Sequence, residues 1–259
     1  MSGTDGSGAT RGGRVALVTG ASRGIGAETA VALARDGFDV ALAARGADAL
    51  EAVAKRCADH GVRTAVVPTD VTDEAAVRAM IAATVDQLGG LSVLVNNAGG
   101  TRFTAPIVDT RADGFEKVLR LNLVHVFWAM QEAGRVMAEA GEGCIVNLAS
   151  VAGLGAVPGN VSYATAKAGL ISLTKTAAME WGTRGVRVNA VAPGWVKTEL
   201  NAFMWQDPQV ERETVALSAL QRWGRVEEIS EVIAFLASPR ASFITGHVLV
   251  VDGGQTLLP

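Results

Sequence analysis

Short, nearly all-apolar runs alternate along this chain with longer segments in which Ala, Leu and Val recur at helical spacing. Val15-Ala16-Leu17-Val18, led in by Arg14, reads as a buried strand that runs into a glycine-rich turn. A helix is predicted from about Ile25 to Arg35, with Gly37 to end it, because glycine readily takes the left-handed conformation found after helices. Asp39 to Ala43 reads as the second strand, Asp48 to Asp59 as a helix, and Thr64 to Val67 as the third strand. Asp73 to Leu88 follows as a helix with Thr72 as its N-cap. Strands four and five are predicted at Ser92 to Val95 and Cys144 to Leu148, with a long helical region between them. Val186 to Val191 and His247 to Val251 supply strands six and seven.

Strands that lack polar alternation are buried on both faces, and the helices between them carry the chain back to the same edge. With right-handed crossovers, the prediction is a Rossmann-like α/β fold. It is a doubly wound parallel sheet with helices on both faces, forming one domain over residues 13–259. Residues 1–12, rich in Gly, Ser and Thr, are expected to form a flexible tail and not a signal peptide.

Composition removes several classes of function. The chain has 259 residues, 49% of them hydrophobic, and a formal net charge of −3. With no Lys/Arg-rich run, nucleic acid is not an expected partner. No apolar stretch approaches the roughly 18 residues of a membrane span, so no membrane partner is expected either. Cys57 and Cys144 are far apart and outside any CxxC pair. They are expected to be reduced, packed thiols in a cytoplasmic protein with no metal site.

The first strand leads directly into Thr19-Gly20-Ala21-Ser22-Arg23-Gly24-Ile25-Gly26. Gly20 permits a tight turn, and Gly24 and Gly26 clear side chains from places where backbone must approach a pyrophosphate. The helix that starts here aims its free N–H groups at that anion, so the turn from Gly20 through Ser22, Arg23 and Ile25 is assigned to a dinucleotide. The spacing is G-x-x-x-G-x-G and not G-x-G-x-x-G, and its weight comes from the strand and helix that flank it. An acidic residue at the end of the second strand would accept bonds from the adenosine ribose 2′-OH. This chain has Ala43-Ala44-Arg45 there. Arg45 and Arg23 can grip a 2′-phosphate as a guanidinium pair, so NADP(H) is the expected cofactor; the alternative is that Arg45 is a solvated loop residue.

Tyr163 is the only tyrosine, and Lys167 lies one helical turn further on, on the same face of a helix predicted from Val161 to Glu180. An ammonium beside a phenol favours the phenolate. Lowering a tyrosine pKa from about 10 to near 7 takes roughly 4 kcal/mol and would make it an acid/base at neutral pH. A Tyr-x-x-x-Lys pair is common by itself, so its setting decides. Ser150 closes the fifth strand, Asn96-Asn97-Ala98-Gly99 closes the fourth, and Asn122 interrupts a long apolar helix. Pro193-Gly194 follows the sixth strand, and Asp252-Gly253-Gly254 the last. Together with Thr19 to Gly26, these motifs resemble the short-chain dehydrogenase/reductase family in its single-domain form, from about Arg14 to the last strand.

The resemblance implies a role for each residue. Tyr163 would donate a proton to a carbonyl oxygen held by Ser150, and Lys167 would bind the nicotinamide ribose and lower the tyrosine pKa. Asn122 would position a water linking Lys167 to solvent; the alternative is a helix-interior Asn capping its own backbone. Asn97, Ala98 and Gly99 would contact the cofactor after strand four, and Asp70 and Val71 would flank its adenine. Pro193, Gly194, Val196 and Thr198 would meet its nicotinamide end. The expected reaction is interconversion of a small-molecule ketone or aldehyde and its alcohol. A non-catalytic NADP(H)-binding regulator remains as a distant alternative.

The nearest-looking members are the 3-oxoacyl-carrier-protein reductases, which tend to present basic residues to an acidic carrier. Here the turn before strand five reads Ala138-Glu139-Ala140-Gly141-Glu142-Gly143, and Met179 occupies one expected cationic position, although Arg184 remains. A free carbonyl substrate is therefore preferred. Trp195, Phe203, Met204 and Trp205 either line an apolar substrate cavity or bury beneath a lid as core. The resemblance also implies a homotetramer paired through the helices near Ala112–Ala140 and Val161–Thr183, whose apolar residues include Phe127, Trp128, Leu170 and Leu173.

Overall fold

The computed structural model describes residues 14–101 and 104–257, so the expected tail at residues 1–12 lies outside the described residues. Seven strands form one sheet: β1 (Val15–Thr19), β2 (Asp39–Ala44), β3 (Thr64–Pro68), β4 (Val93–Asn96), β5 (Gly143–Leu148), β6 (Val186–Pro193) and β7 (Val248–Val251). Their order is β3-β2-β1-β4-β5-β6-β7, and every neighbouring pair is parallel. The expected doubly wound architecture is therefore present.

The composition of β1 shows why its sequence lacks alternation. Ala16 and Val18 point into a core built with helices α1 (Gly24–Arg35), α2 (Ala47–Ala58) and the late helix Val226–Ala237, where they meet Leu33, Leu50 and Ile233. Val15 and Leu17 point the other way. That core includes Met80 of α3 (Glu74–Leu88), Met130 of α5 (His125–Ala140) and Leu170 of α6 (Val161–Trp181). Each side chain buried in this way contributes about 1.5–3 kcal/mol, so a polar residue on either face of β1 would be costly.

Val18 lies opposite Leu42 of β2 and Val95 of β4. The carboxyl ends of β1, β2 and β4 are thus level, and the chain leaves β1 towards β2 on one side while β4 lies on the other. That switch opens a crevice at the sheet edge, where doubly wound folds bind ligands. α4 (Ala112–Leu119) passes into α5 through a π turn at Arg120–Val124, so the expected interruption at Asn122 is a wide turn and not a break.

One cap differs from expectation. Asp73, not Thr72, starts α3: its carboxylate accepts from Ala75 N and Ala76 N, while the Thr72 hydroxyl donates to Asp70. The carboxylate also suits the positive helix end better than a hydroxyl. Cys57 and Cys144 are both buried and free, and burial pushes each thiol up to about 11. Among the described residues no helix is long and apolar enough to cross a membrane.

Candidate active site

The turn after β1 is braced from β4. The Thr19 hydroxyl donates to Val95 O (3.3 Å) and accepts from Asn97 N and Ala98 N, both at 3.0 Å. The Asn97 side-chain amide donates to Thr19 O (2.8 Å) and Gly20 O (3.2 Å), so it supports the glycine turn from behind. A Cβ on Gly20 would lie 2.7 Å from Asn97 Nδ2, and φ is +67° there and +56° at Gly24. Any other residue would be strained at both points. Arg23 caps α1 in extended conformation with no side-chain cap bond. The first amides of α1 consequently face the crevice with no side chain satisfying them, which fits the phosphates of a dinucleotide.

The crevice is a cleft of about 890 Å³. Every residue assigned above to the cofactor lines it, and so do Ser150, Tyr163 and Lys167. At one end lie Ala44, Arg45 and Asp70. Asp70 accepts from Thr72 N (2.9 Å) and Thr72 Oγ1 (2.8 Å), and these bonds hold its carboxyl below the usual range, helped by the charge of Arg45. The Arg45 side chain is exposed, lines the cleft and makes no ion pair among the described residues, so it is available to a ligand anion.

At the other end the chemistry gathers on β5 and α6. Ser150 caps the short turn Val151–Gly153, and its Oγ accepts from Ala152 N at 3.2 Å. A Cβ on Gly153 would lie 2.7 Å from the Lys167 carbonyl carbon, so only glycine lets this turn press on α6. That contact brings Ser150 and Tyr163 to the same wall of the cleft, where the Ser150 hydroxyl favours the phenolate. Lys167 is 3% exposed, donates to Leu148 O at 2.6 Å, and lies 5.5 Å from the centre of the tyrosine ring. Burial lowers its pKa to about 8.

These pKa directions correct one expectation. Burial raises the Tyr163 phenol above its ordinary value of 10, and the Ser150 hydroxyl offsets only part of that rise. Desolvating a phenolate outweighs the Ser150 contact, and the Lys167 ammonium is aimed at a carbonyl instead of at the phenol oxygen. The resting tyrosine therefore holds its proton.

Asn122 does not line the cleft. Its Oδ1 accepts from Gly100 N (2.7 Å), and its Nδ2 donates to Gly100 O (3.0 Å) and Val118 O (2.9 Å). The side chain thus clamps the loop after β4. The motif reading missed His125, which is buried with Nε2 3.2 Å from Ala98 O. Burial, then the Lys167 charge, lowers it to about 4, so it is neutral at pH 7. Nothing in its sequence neighbourhood signals that contact, which spans 27 positions.

The aromatic lid residues do not line the cleft either. Trp195 packs at a tilt against Trp223 (centroids 5.1 Å apart), Trp205 Nε1 donates to Thr198 O (3.0 Å), and Phe203 is 71% exposed. Leu200 and Asn201, which the sequence reading passed over, face the cleft instead.

A buried ammonium carries a stability cost with a defined pH window. A folded-state pKa of about 8 against an unfolded value of 10.5 disfavours the fold at all pH below 8. The penalty fades between 8 and 10.5 as the unfolded state also loses its proton. Lys167→Met should therefore melt higher than the wild type near pH 7, and the difference should narrow towards pH 10.5. A gap that does not change across thermal melts in this range would contradict the burial argument.

A protein-family model described as enoyl-(acyl carrier protein) reductase matches residues 20–256. The cis-4-hydroxycyclohexanecarboxylate dehydrogenase of Sinomonas cyclohexanicum is 43% identical over 94% of this chain and 96% of its own. A 3-oxoacyl-[acyl-carrier-protein] reductase of Staphylococcus aureus is 40% identical over 93% of this chain and 97% of its own. The crystal structure of levodione reductase superposes with a TM-score of 0.91 at 35% identity, covering 95% of this chain and 98% of the other.

Proposed function

This chain belongs to the short-chain dehydrogenase/reductase family, whose members act on CH–OH and C=O groups with a nicotinamide cofactor, and on that footing we propose an NADP(H)-dependent carbonyl reductase or alcohol dehydrogenase. The observation that carries the proposal is the convergence of Ser150, Lys167 and the only tyrosine in the chain on the cleft that the glycine turn also lines. When bound, the nicotinamide supplies or accepts the hydride. The residues of the chain do the rest. Ser150 holds the substrate oxygen beside the phenol and stabilises charge as it grows there. Tyr163, protonated at rest, hands its proton to that oxygen as the carbonyl is reduced. Lys167 then lies within reach to stabilise the phenolate until it is reprotonated. Gly20 to Gly26 seat the pyrophosphate, and Arg23 and Arg45 seat the 2′-phosphate.

A second reading, reduction of a 3-oxoacyl group on a carrier protein, is favoured by the 40% identity to a reductase of that name. Against it stand Glu139 and Glu142 before β5 and Met179, 84% exposed, where an acidic carrier would want a cation. The test is turnover with NADPH and NADP⁺ over a panel of ring and open-chain ketones and alcohols, with a 3-oxoacyl thioester bound to a carrier protein beside them. Free ring alcohols or ketones are expected to turn over fastest. Turnover of the carrier-bound thioester alone would establish the second reading, and none with any carbonyl would remove both.

We further propose a homotetramer. Of the apolar residues expected at the interface, Trp128 and Leu170 are buried in the chain's own core, while Phe127 and Leu173 line, with Trp181, an open groove between α5 and α6 that could receive a second copy. Light scattering at micromolar concentration should give four times the chain mass, and a monomer would refute the assembly.

A further inference from the structure

Asn201 ends the short turn Glu199–Asn201 in the segment that follows β6. Its side-chain amide gathers three groups. Oδ1 accepts from Thr198 N (3.0 Å) and lies 2.9 Å from Thr198 Oγ1, while Nδ2 donates to Val196 O (2.9 Å). A backbone N–H can only donate and a carbonyl can only accept, so the contacts with Thr198 N and Val196 O fix which amide atom is oxygen and which is nitrogen. That oxygen has no proton to give. The Thr198 hydroxyl must therefore spend its own proton on Asn201 Oδ1. The rest of Thr198 is tied as well: its carbonyl accepts from Trp205 Nε1 (3.0 Å), and its methyl carbon lies 3.7 Å from where a Cβ on Gly24 would stand.

A hydroxyl whose proton is spent can only accept. Asn201 N stands at one of its two acceptor sites, as in a capping box, and the other remains. Val196, Thr198 and Asn201 all line the cleft. Such a hydroxyl has nothing to offer a pyrophosphate, whose oxygens also only accept, but it can receive a donor. The sheet order indicates which one. Arg45 follows β2, whereas this segment leaves β6, the neighbour of β5, which leads to Ser150 and the chemistry. At that end a nicotinamide dinucleotide carries ribose hydroxyls, which can turn to suit any neighbour, and the carboxamide N–H2, which can only donate. On the reading that a nicotinamide dinucleotide occupies this cleft, we propose that Asn201 is a positioning residue: it holds the Thr198 hydroxyl as a pure acceptor and so makes the cleft select for the carboxamide N–H2. The amide acts through Thr198, and its effect is independent of Arg45, which concerns the 2′-phosphate alone.

The experiment is titration of the full chain with NADP⁺ and with its 3-acetylpyridine analogue, in which a methyl group replaces the carboxamide N–H2. Kd is read from quenching of tryptophan fluorescence, to which Trp205 beside Thr198 contributes. The wild type should bind NADP⁺ more tightly than the analogue by about three- to tenfold, the scale of one neutral hydrogen bond. Asn201→Leu frees the hydroxyl proton and should bring the two Kd values within about twofold of each other. Thr198→Val, which removes the acceptor at nearly constant shape, should do the same. Asn201→Asp keeps both acceptor bonds and should retain the wild-type ratio, even though its added charge weakens both ligands. A merely structural loss would weaken both ligands alike, so an undiminished ratio in Asn201→Leu would overturn the proposal. Equal Kd values in the wild type would do so too. Melting curves check each variant, and if Asn201→Leu does not fold, an undiminished ratio in Thr198→Val is equally decisive. A wild type that binds neither ligand would instead overturn the cofactor reading on which the proposal rests.

Discussion

Tyr163→Phe should lower turnover at least about 10²-fold, the usual contribution of a positioned acid or base, while NADPH still binds. The substitution removes the only phenol hydroxyl in the chain and keeps the ring, so packing on α6 should hardly change. The direction of the phenol pKa adds a second expectation. Tyr163 is held above 10, so near neutral pH it is in the proton-donating form that carbonyl reduction needs. Alcohol oxidation needs the opposite form and should speed up as pH rises, whereas reduction should be level at neutral pH and decline only on the alkaline side. The variant should be slow and without this alkaline rise. Steady-state rates in both directions from pH 6 to 10 check both points. Turnover within a few-fold of wild type would remove Tyr163 from the chemistry.

The other large effect concerns the choice between cofactors. Ala44 stands at the end of β2 with nothing to accept a bond from a ribose 2′-OH, and Arg45 beside it is exposed. Its carboxylate neighbour, Asp70, is already satisfied by Thr72. Hydrogen bonds to a charged group are worth about 1.5–3 kcal/mol each, so Arg23 and Arg45 together should favour NADPH over NADH by roughly 10²-fold or more. Arg45→Ala should lower kcat/KM for NADPH and leave NADH nearly unchanged. Ala44→Asp should repel the 2′-phosphate and turn preference towards NADH. Equal losses for both cofactors in Arg45→Ala, or a wild type that prefers NADH, would mean that the end of β2 does not read this phosphate.

The strands were legible because a parallel sheet covered on both faces leaves few positions for polar residues. Val15 to Val18 could be recognised from composition alone, and the two faces of β1 show why. The residues of the cleft were also legible, since glycines, a lone tyrosine and strand-end polar groups stand in order along the chain. What they bond was not. Asn97 is spent on Thr19 and Gly20, and Asn122 on Gly100, contacts that span 77, 78 and 22 positions and leave no periodic trace. The direction of the Tyr163 pKa was misjudged for a related reason: helical spacing places two groups on one face but does not state how much water the fold removes from them. The aromatic residues after β6 could be either pocket walls or core from sequence, and Trp195 takes the second course by packing on Trp223, a neighbour that only the return of the chain provides.

That return has a consequence for how such a protein can change. Val196 and Gly224 are bridged, with Gly224 N donating to Trp195 O (2.8 Å) and Lys197 N to Gly224 O (3.0 Å). The excursion between them therefore leaves and rejoins the body at a single point, like a bead on a clasp. Inside it, Lys197 pairs with Glu211 and Trp223 Nε1 donates to Thr214 Oγ1. Its outside ties are to the turn after β7, through Ser218 Oγ and Leu220 N to Gly253 O, and to Glu228, which Arg222 grips with two bonds. Residues 197–223 thus form a cassette. Exchange of that stretch for a relative's, with the clasp and the Gly253 tie retained, would redraw the substrate side of the cleft while Ser150, Tyr163 and Lys167 stay where the sheet holds them.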